Sequence, residues 1–217
     1  MAFSSNRAGA LNLYWTPIDN AAAQERLAPS EAIQLPASWA VDGRVLAFVE
    51  RHPTTGRDIW MLPLIGDRKP HTFLNAAFDE SAPRFSMDGR LIAYVSNESG
   101  QNEVYVRSFP GPSGPRRISE SGGTEPVWAP NARTLFYRTG DRMMSVRLGS
   151  DAEPAGAPEL LFSGNFEPGT LDLANYDVMP DGQRFVMVRA TETEAARELR
   201  VALQWLHEVT SAAPPVE

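Results

Sequence analysis

Cysteine is missing from all 217 residues. That absence excludes disulfides, thiol catalysis and cysteine-ligated zinc or iron–sulfur sites. Histidine is scarce: His52, His71 and His207 are the three in the chain, and none has a second histidine at ligand spacing. Ordinary surface or packing roles are expected for them, and no metal site. Positive charge is also in short supply, with 20 basic against 27 acidic residues and a net charge of −7. A basic footprint for nucleic acid or anionic lipid is therefore lacking, so no nucleic-acid partner is expected. No apolar run approaches the roughly 20 residues that span a bilayer, and no membrane insertion is expected. The opening Met1-Ala-Phe-Ser-Ser-Asn-Arg has no basic stretch followed by an apolar one, so no signal peptide is read there.

What the chain does have is turns. Its 18 prolines and 16 glycines are scattered from end to end rather than clustered. Many short elements joined by many turns is a β-rich habit, and 42% hydrophobic residues are enough for a buried core.

The turns recur with a period. Trp39-Ala-Val-Asp-Gly-Arg-Val-Leu-Ala-Phe-Val reappears as Phe85-Ser-Met-Asp-Gly-Arg-Leu-Ile-Ala-Tyr-Val. It returns as Trp128-Ala-Pro-Asn-Ala-Arg-Thr-Leu-Phe-Tyr and as Val178-Met-Pro-Asp-Gly-Gln-Arg-Phe-Val-Met-Val. Asp42, Asp88, Asn131 and Asp181 mark equivalent positions, 46, 43 and 50 residues apart. That period suits a unit of four short strands. Each unit reads as a strand ending at an aromatic (Trp39, Phe85, Trp128), a turn, and a second strand such as Leu91-Ile-Ala-Tyr-Val whose unbroken apolar run implies burial on both faces. A third strand (Ile59-Trp-Met-Leu, Val104-Tyr-Val) and a short fourth, around Ile118, complete it. In the turns, Gly43, Gly89 and Gly182 accept positive φ while the preceding aspartate bonds local backbone donors. Asn131-Ala132 departs from Asp-Gly and leaves its turn type open.

These units predict an all-β chain, a β-propeller of about four complete four-stranded blades plus a partial N-terminal one. The chain reads as one domain over 1–217: a partial blade over 1–34, blades over 35–78, 79–123 and 124–168, and a last blade with its tail over 169–217. Phe3 to Trp15 matches second and third strands with no first strand before it, so a fragment of a larger propeller is expected. Near the C-terminus, residues 191–209 carry both helical and alternating patterns; a strand near 198–204 is expected, as the partner of Arg184-Phe-Val-Met-Val.

The Trp/Phe-x-x-Asp-Gly-Arg-x-Ile-Ala-Tyr pattern resembles the WD-like propeller repeat of TolB-type proteins. Glu103-Val-Tyr-Val-Arg-Ser-Phe-Pro-Gly, Ser121-Gly-Gly-Thr-Glu-Pro-Val-Trp and Thr134-Leu-Phe-Tyr-Arg look like propellers found C-terminal to bacterial serine/threonine protein kinases. Leu199-Arg-Val-Ala-Leu-Gln-Trp-Leu-His-Glu-Val is similar to how those chains end. The resemblance implies a binding or sensor module on the extracytoplasmic side of a membrane. It does not carry kinase activity, because the chain has no glycine-rich loop, no His-Arg-Asp and no Asp-Phe-Gly. Propellers of prolyl-oligopeptidase-like hydrolases share similar repeats, but no Gly-x-Ser-x-Gly elbow occurs here. No catalytic residue, cofactor or metal site is expected in the chain.

Residues that recur once per unit belong to the scaffold. Trp39, Phe85 and Trp128 are expected between blades, and Asp42, Asp88, Asn131 and Asp181 in turns. Asn97-Glu-Ser fits a glycosylation pattern but reads as a polar loop. The sharper candidates lie on the loops that lead into each first strand: Glu31, Asp79, Glu80, Glu125 and Asp172. Carboxylates converging at a channel mouth would attract a basic peptide or a hard cation such as calcium; the plainer reading is a solvated acidic rim. Protein or peptide is the expected class of partner.

Overall fold

Short apolar runs separated by turns leave little room for helix. The structure, a computed structural model, describes residues 1–20, 22–111, 113–149 and 152–189. Among the described residues there are seventeen strands and no helix. The N-terminal sheet has three strands, β1 (Ala2–Ser5), β2 (Asn12–Trp15) and β3 (Glu25–Arg26). Three four-stranded sheets follow. The first comprises β4 (Ile33–Trp39), β5 (Val45–His52), β6 (Gly56–Pro63) and β7 (His71–Leu74). The second comprises β8 (Glu80–Phe85), β9 (Leu91–Ser96), β10 (Glu103–Ser108) and β11 (Arg116–Arg117). The third comprises β12 (Thr124–Trp128), β13 (Thr134–Thr139), β14 (Arg142–Arg147) and β15 (Glu159–Ser163). A hairpin of β16 (Tyr176–Val178) and β17 (Phe185–Met187) comes last. The strand expected near 198–204, and His207, lie outside the described residues.

Every pairing between these strands is antiparallel and joins consecutive strands, so each sheet is a simple meander. The first strands β4, β8, β12 and β16 contact one another in succession. The sheets are thus stacked around a common inner wall, as the blades of a partial β-propeller.

Period-two alternation sends successive residues of a second strand to opposite faces, and both faces are covered, which is why Leu46–Val49, Leu91–Val95 and Leu135–Tyr137 are apolar. In β9, Leu91, Ala93 and Val95 pack with Trp128, Leu135 and Tyr137 of the following sheet. Ile92 and Tyr94, on its other face, pack with Ala47, Ile59 and Met61 of the preceding sheet. The same division holds in β5, where Leu46 and Phe48 face Leu13 and Leu27 while Ala47 faces forward. In β13, Phe136 joins Met143 and Tyr176 against the last hairpin. Each fully buried leucine or isoleucine of this kind stabilises by about 2 kcal/mol, so inter-sheet packing is the main cohesive force.

The four repeat turns share one geometry. Asp42 Oδ1 accepts from Arg44 N at 3.0 Å, Asp88 Oδ1 from Arg90 N at 3.2 Å, Asn131 Oδ1 from Arg133 N at 2.9 Å and Asp181 Oδ1 from Gln183 N at 2.9 Å. The next residue is left-handed in all four, with φ of 69° at Gly43, 71° at Gly89, 69° at Gly182 and 56° at Ala132. The open question at Asn131-Ala132 is thereby answered: the turn is kept, and alanine bears the strain of positive φ.

Candidate functional site

The first strands have two ends. Their starts carry the acidic loops, and their ends carry the Asp-Gly hairpins.

At the starts, the five expected carboxylates do not share one environment. Glu31 is exposed, with no cationic side chain among the described residues at ion-pair distance. Asp79 is held from several sides. Its Oδ1 accepts from Arg57 N at 2.8 Å and lies 3.6 Å from Arg57 Nη1, and its own N–H donates to Asn97 Oδ1 at 3.0 Å. Gly56 makes this approach feasible: a Cβ there would meet Asp79 Oδ1 at 2.5 Å, and its φ is 88°. Asp172, 7% exposed, accepts from Arg57 Nε at 3.1 Å and lies 3.6 Å from Arg51 Nη2. One arginine thus ties the loop before β8 to the loop before β16.

Glu125 is buried within β12, at a bulge where its φ is 57°. Ala82 occupies the corresponding bulge of β8 with φ 49°. The Glu125 carboxylate accepts from Asn175 N at 2.8 Å and lies 3.6 Å from Arg138 Nη1, while its carbonyl oxygen accepts from Tyr176 Oη at 2.8 Å. Arg138 in turn donates to the carbonyl oxygens of Glu167, Gly140 and Phe166. This cluster fastens the long connection between β15 and β16.

Glu80 is the exception. It is 2% exposed, and its Oε2 has no hydrogen-bonding partner among the described residues; the same is true of Asp58 Oδ1. Burial, with the nearby Asp58 charge adding to it, pushes the Glu80 carboxyl up to about 7. Asp58 is also raised, chiefly by burial. No three His, Asp or Glu side chains among the described residues are arranged to hold a metal ion. Arginine occupancy of this end could not be read from sequence. Arg51, Arg57 and Arg138 belong to second and third strands, and only the stacking of sheets carries them to the acidic loops.

At the ends of β4, β8 and β12 and the start of β16 lies an open cavity of about 610 Å³ that sequence reasoning did not foresee. The first strands of four successive sheets line it, through Ser38, Arg84, Phe85, Val127, Trp128 and Tyr176. The aromatic repeat positions help build its wall. Trp128 Nε1 donates to Arg84 O at 2.9 Å, and Phe85 N donates to Ser38 Oγ at 3.1 Å, so β12 is pinned to β8 and β8 to β4. Trp39 differs. It is 36% exposed, because the sheet before it contributes no strand inside β1 for its indole to rest upon. Of the histidines, His52 Nδ1 lies 2.9 Å from Thr54 Oγ1 in an exposed turn, and His71 begins β7 on the surface.

No protein-family model matches the chain, and no curated protein matches it in sequence. Solved structures do match it. TolB from Acinetobacter baumannii aligns with a TM-score of 0.68 at 17% identity, over 88% of this chain and 47% of that one. A chain of a nidogen/laminin complex aligns with a TM-score of 0.58 at 13% identity, over 87% of this chain and 69% of that one. Prolyl oligopeptidase B from Galerina marginata aligns with a TM-score of 0.55 at 12% identity, over 87% of this chain and 32% of that one. The chain therefore spans about half the length of the TolB it resembles. With four-stranded meanders stacked about a shared inner wall, these likenesses show that the chain has the fold of a β-propeller.

Proposed function

We propose that the chain is a non-enzymatic β-propeller module that binds a protein or peptide. The observation that carries this reading is the cavity at the strand ends. It is built largely by the first strands β4, β8, β12 and β16, with Met87, Ala174, Asn175 and β17 completing the wall, falls within the on the order of 300–1,000 Å³ typical of ligand sites, and has exposed apolar side chains, Met87 and Val186, on it. The protein complex named for the nidogen/laminin neighbour is in keeping with a binding role for such a fold. The acidic starts of the strands are the less favoured face for a basic partner. Asp79, Asp172 and Glu125 already have arginines beside them, which leaves Glu31 as the exposed carboxylate of the five.

The test is a pull-down from the source cells with wild-type chain and with Met87→Glu and Val186→Glu, all checked by circular dichroism. A partner recovered by the wild type and lost with both folded variants supports the reading. Recovery unchanged in both removes the cavity as the binding face.

A finer proposal is that this module is the sensor portion of a bacterial serine/threonine kinase, facing the extracytoplasmic side. The resemblance of Glu103–Gly111, Ser121–Trp128 and Thr134–Arg138 to kinase-linked propellers supports it. A coding region upstream that specifies a kinase domain and a membrane span would bear it out. A signal peptide there would favour a free-standing TolB-like envelope protein. An α/β-hydrolase domain downstream would favour a substrate-gating role, the arrangement to which the prolyl oligopeptidase likeness directs attention.

A further inference from the structure

We propose that the strand-end cavity takes the free C-terminal carboxylate of a short apolar peptide, with Arg84 as the group that pairs with it. This rests on the reading of the chain as a peptide-binding propeller and adds the chemistry of the ligand.

The polar groups on the cavity wall are mostly committed. Trp128 Nε1 donates to Arg84 O, Tyr176 Oη donates to Glu125 O, and Ser38 Oγ accepts from Phe85 N. Trp128 and Tyr176 therefore offer the cavity ring surface, together with Phe85, Val127 and Met187, while Ser38 keeps a hydroxyl hydrogen to donate. Arg84 is different. Its guanidinium has five N–H donors. Nη1 donates to Ala37 O at 3.0 Å, and among the described residues no carboxylate lies at ion-pair distance. Burial disfavours its charge, and Asp177 and Tyr176 act in the opposite sense. A partly desolvated cation with unspent donors, set among aromatic and aliphatic side chains as well as Ser38, Asn175 and Asp177, is complemented by an anion that brings apolar surface with it. A carboxylate fits the planar fork better than a single-atom acceptor does, because it accepts two parallel bonds. The Asn175 carboxamide on the same wall donates through Nδ2 to Glu167 O at 3.4 Å, and its oxygen gives a peptide N–H an acceptor that a plain hydrocarbon acid would not use. Asp177, exposed at the wall, is the ligand's competitor for Arg84.

Calorimetric titration of the full chain with N-acetylated leucyl-leucyl-phenylalanine, as the free acid and as the C-terminal amide, tests this. The acid should bind about tenfold more tightly than the amide, and added salt should shrink the difference. Arg84→Gln should abolish the preference for the acid. Because Arg84 also bridges to Ala37, a second variant guards against mere loss of fold: Asp177→Asn should tighten the acid by about two- to threefold and leave the amide unchanged. Equal binding of acid and amide overturns the role of Arg84 while leaving peptide binding intact. Octanoate binding as tightly as the peptide acid overturns the peptide as the source of the carboxylate. Binding of neither peptide overturns the proposal, and the rim variants in the pull-down then judge the broader reading independently.

Discussion

Arg57 and Asp172, 115 residues apart in the chain, meet with Nε donating to Oδ1 at 3.1 Å. The contact joins the start of β6 to the loop before β16, so the arc of sheets is tied across its acidic end as well as stacked along its walls. The Asp172 side chain is 9% exposed and that of Arg57 is 19% exposed, which keeps solvent from screening the pair fully. Asp172→Asn should lower unfolding stability by about 1–2 kcal/mol, since Arg51 and Arg57 lose a shared counter-charge while Asp79 remains. Urea unfolding followed by circular dichroism reads the change, and a shift within error would mean the tie is unimportant.

Glu80 makes stability fall as pH rises. Its carboxyl is raised from 4.5 to about 7 in the folded protein, so the folded state holds a proton that the unfolded state has released between those values. Below about 4.5 both states are protonated and the buried group is not penalised. Stability is then lost progressively up to pH 7, above which the folded protein bears a buried charge beside Asp58. Glu80→Gln should be more stable than wild type at pH 8, by about 1–2 kcal/mol, and the gap should close by about pH 5. Thermal melts across pH 5–8 measure it, and parallel curves would contradict the assignment.

Ala132 sits at φ 56° in a turn whose three counterparts have glycine. Ala132→Gly should therefore raise stability by about 0.5–1 kcal/mol, against the usual direction of an alanine-to-glycine change. A lowered melting temperature would show that the alanine methyl, buried at 8% exposure, matters more than its backbone strain.

The repeat aromatics should respond unequally to the same substitution. Trp128→Phe removes the bond to Arg84 O from a buried indole and should cost about 1–2 kcal/mol. Trp39→Phe should cost less than about 0.5 kcal/mol, because that indole is one-third exposed. Equal losses from the two would mean that repeat position, rather than the presence of a preceding inner strand, sets the energy.

Much of the scaffold is legible because it is local. An Asp-Gly pair places a left-handed glycine and an acceptor two residues before a backbone donor, whatever lies around it; the bonds at Asp42, Asp88 and Asp181 follow from chain proximity alone. The apolar run Leu91–Val95 likewise announces burial on both faces. It does not announce that Leu91 and Ile92 belong to different inter-sheet clusters. The acidic loops illustrate the opposite case. Asp79, Glu125 and Asp172 are visible in the sequence as carboxylates, but the arginines that neutralise them are remote from Asp172 and thirteen or more residues away from the other two. Glu80 and Glu125 look alike in sequence, yet one has an unpartnered oxygen and the other an arginine and a backbone amide.

The amino-acid sequence by itself determines the strands, the turns and the repeat, since alternation and left-handed backbone act over a few residues. Only the tertiary structure decides which groups at the ends of the inner wall are spent and which remain available. Arg84 is an ordinary arginine in the repeat, and it becomes a cation on the wall of a cavity because Ser38, Trp128 and Tyr176 arrive from three other sheets. Charge and burial at a point in space depend on every chain segment that reaches it, and no stretch of neighbouring residues encodes that sum.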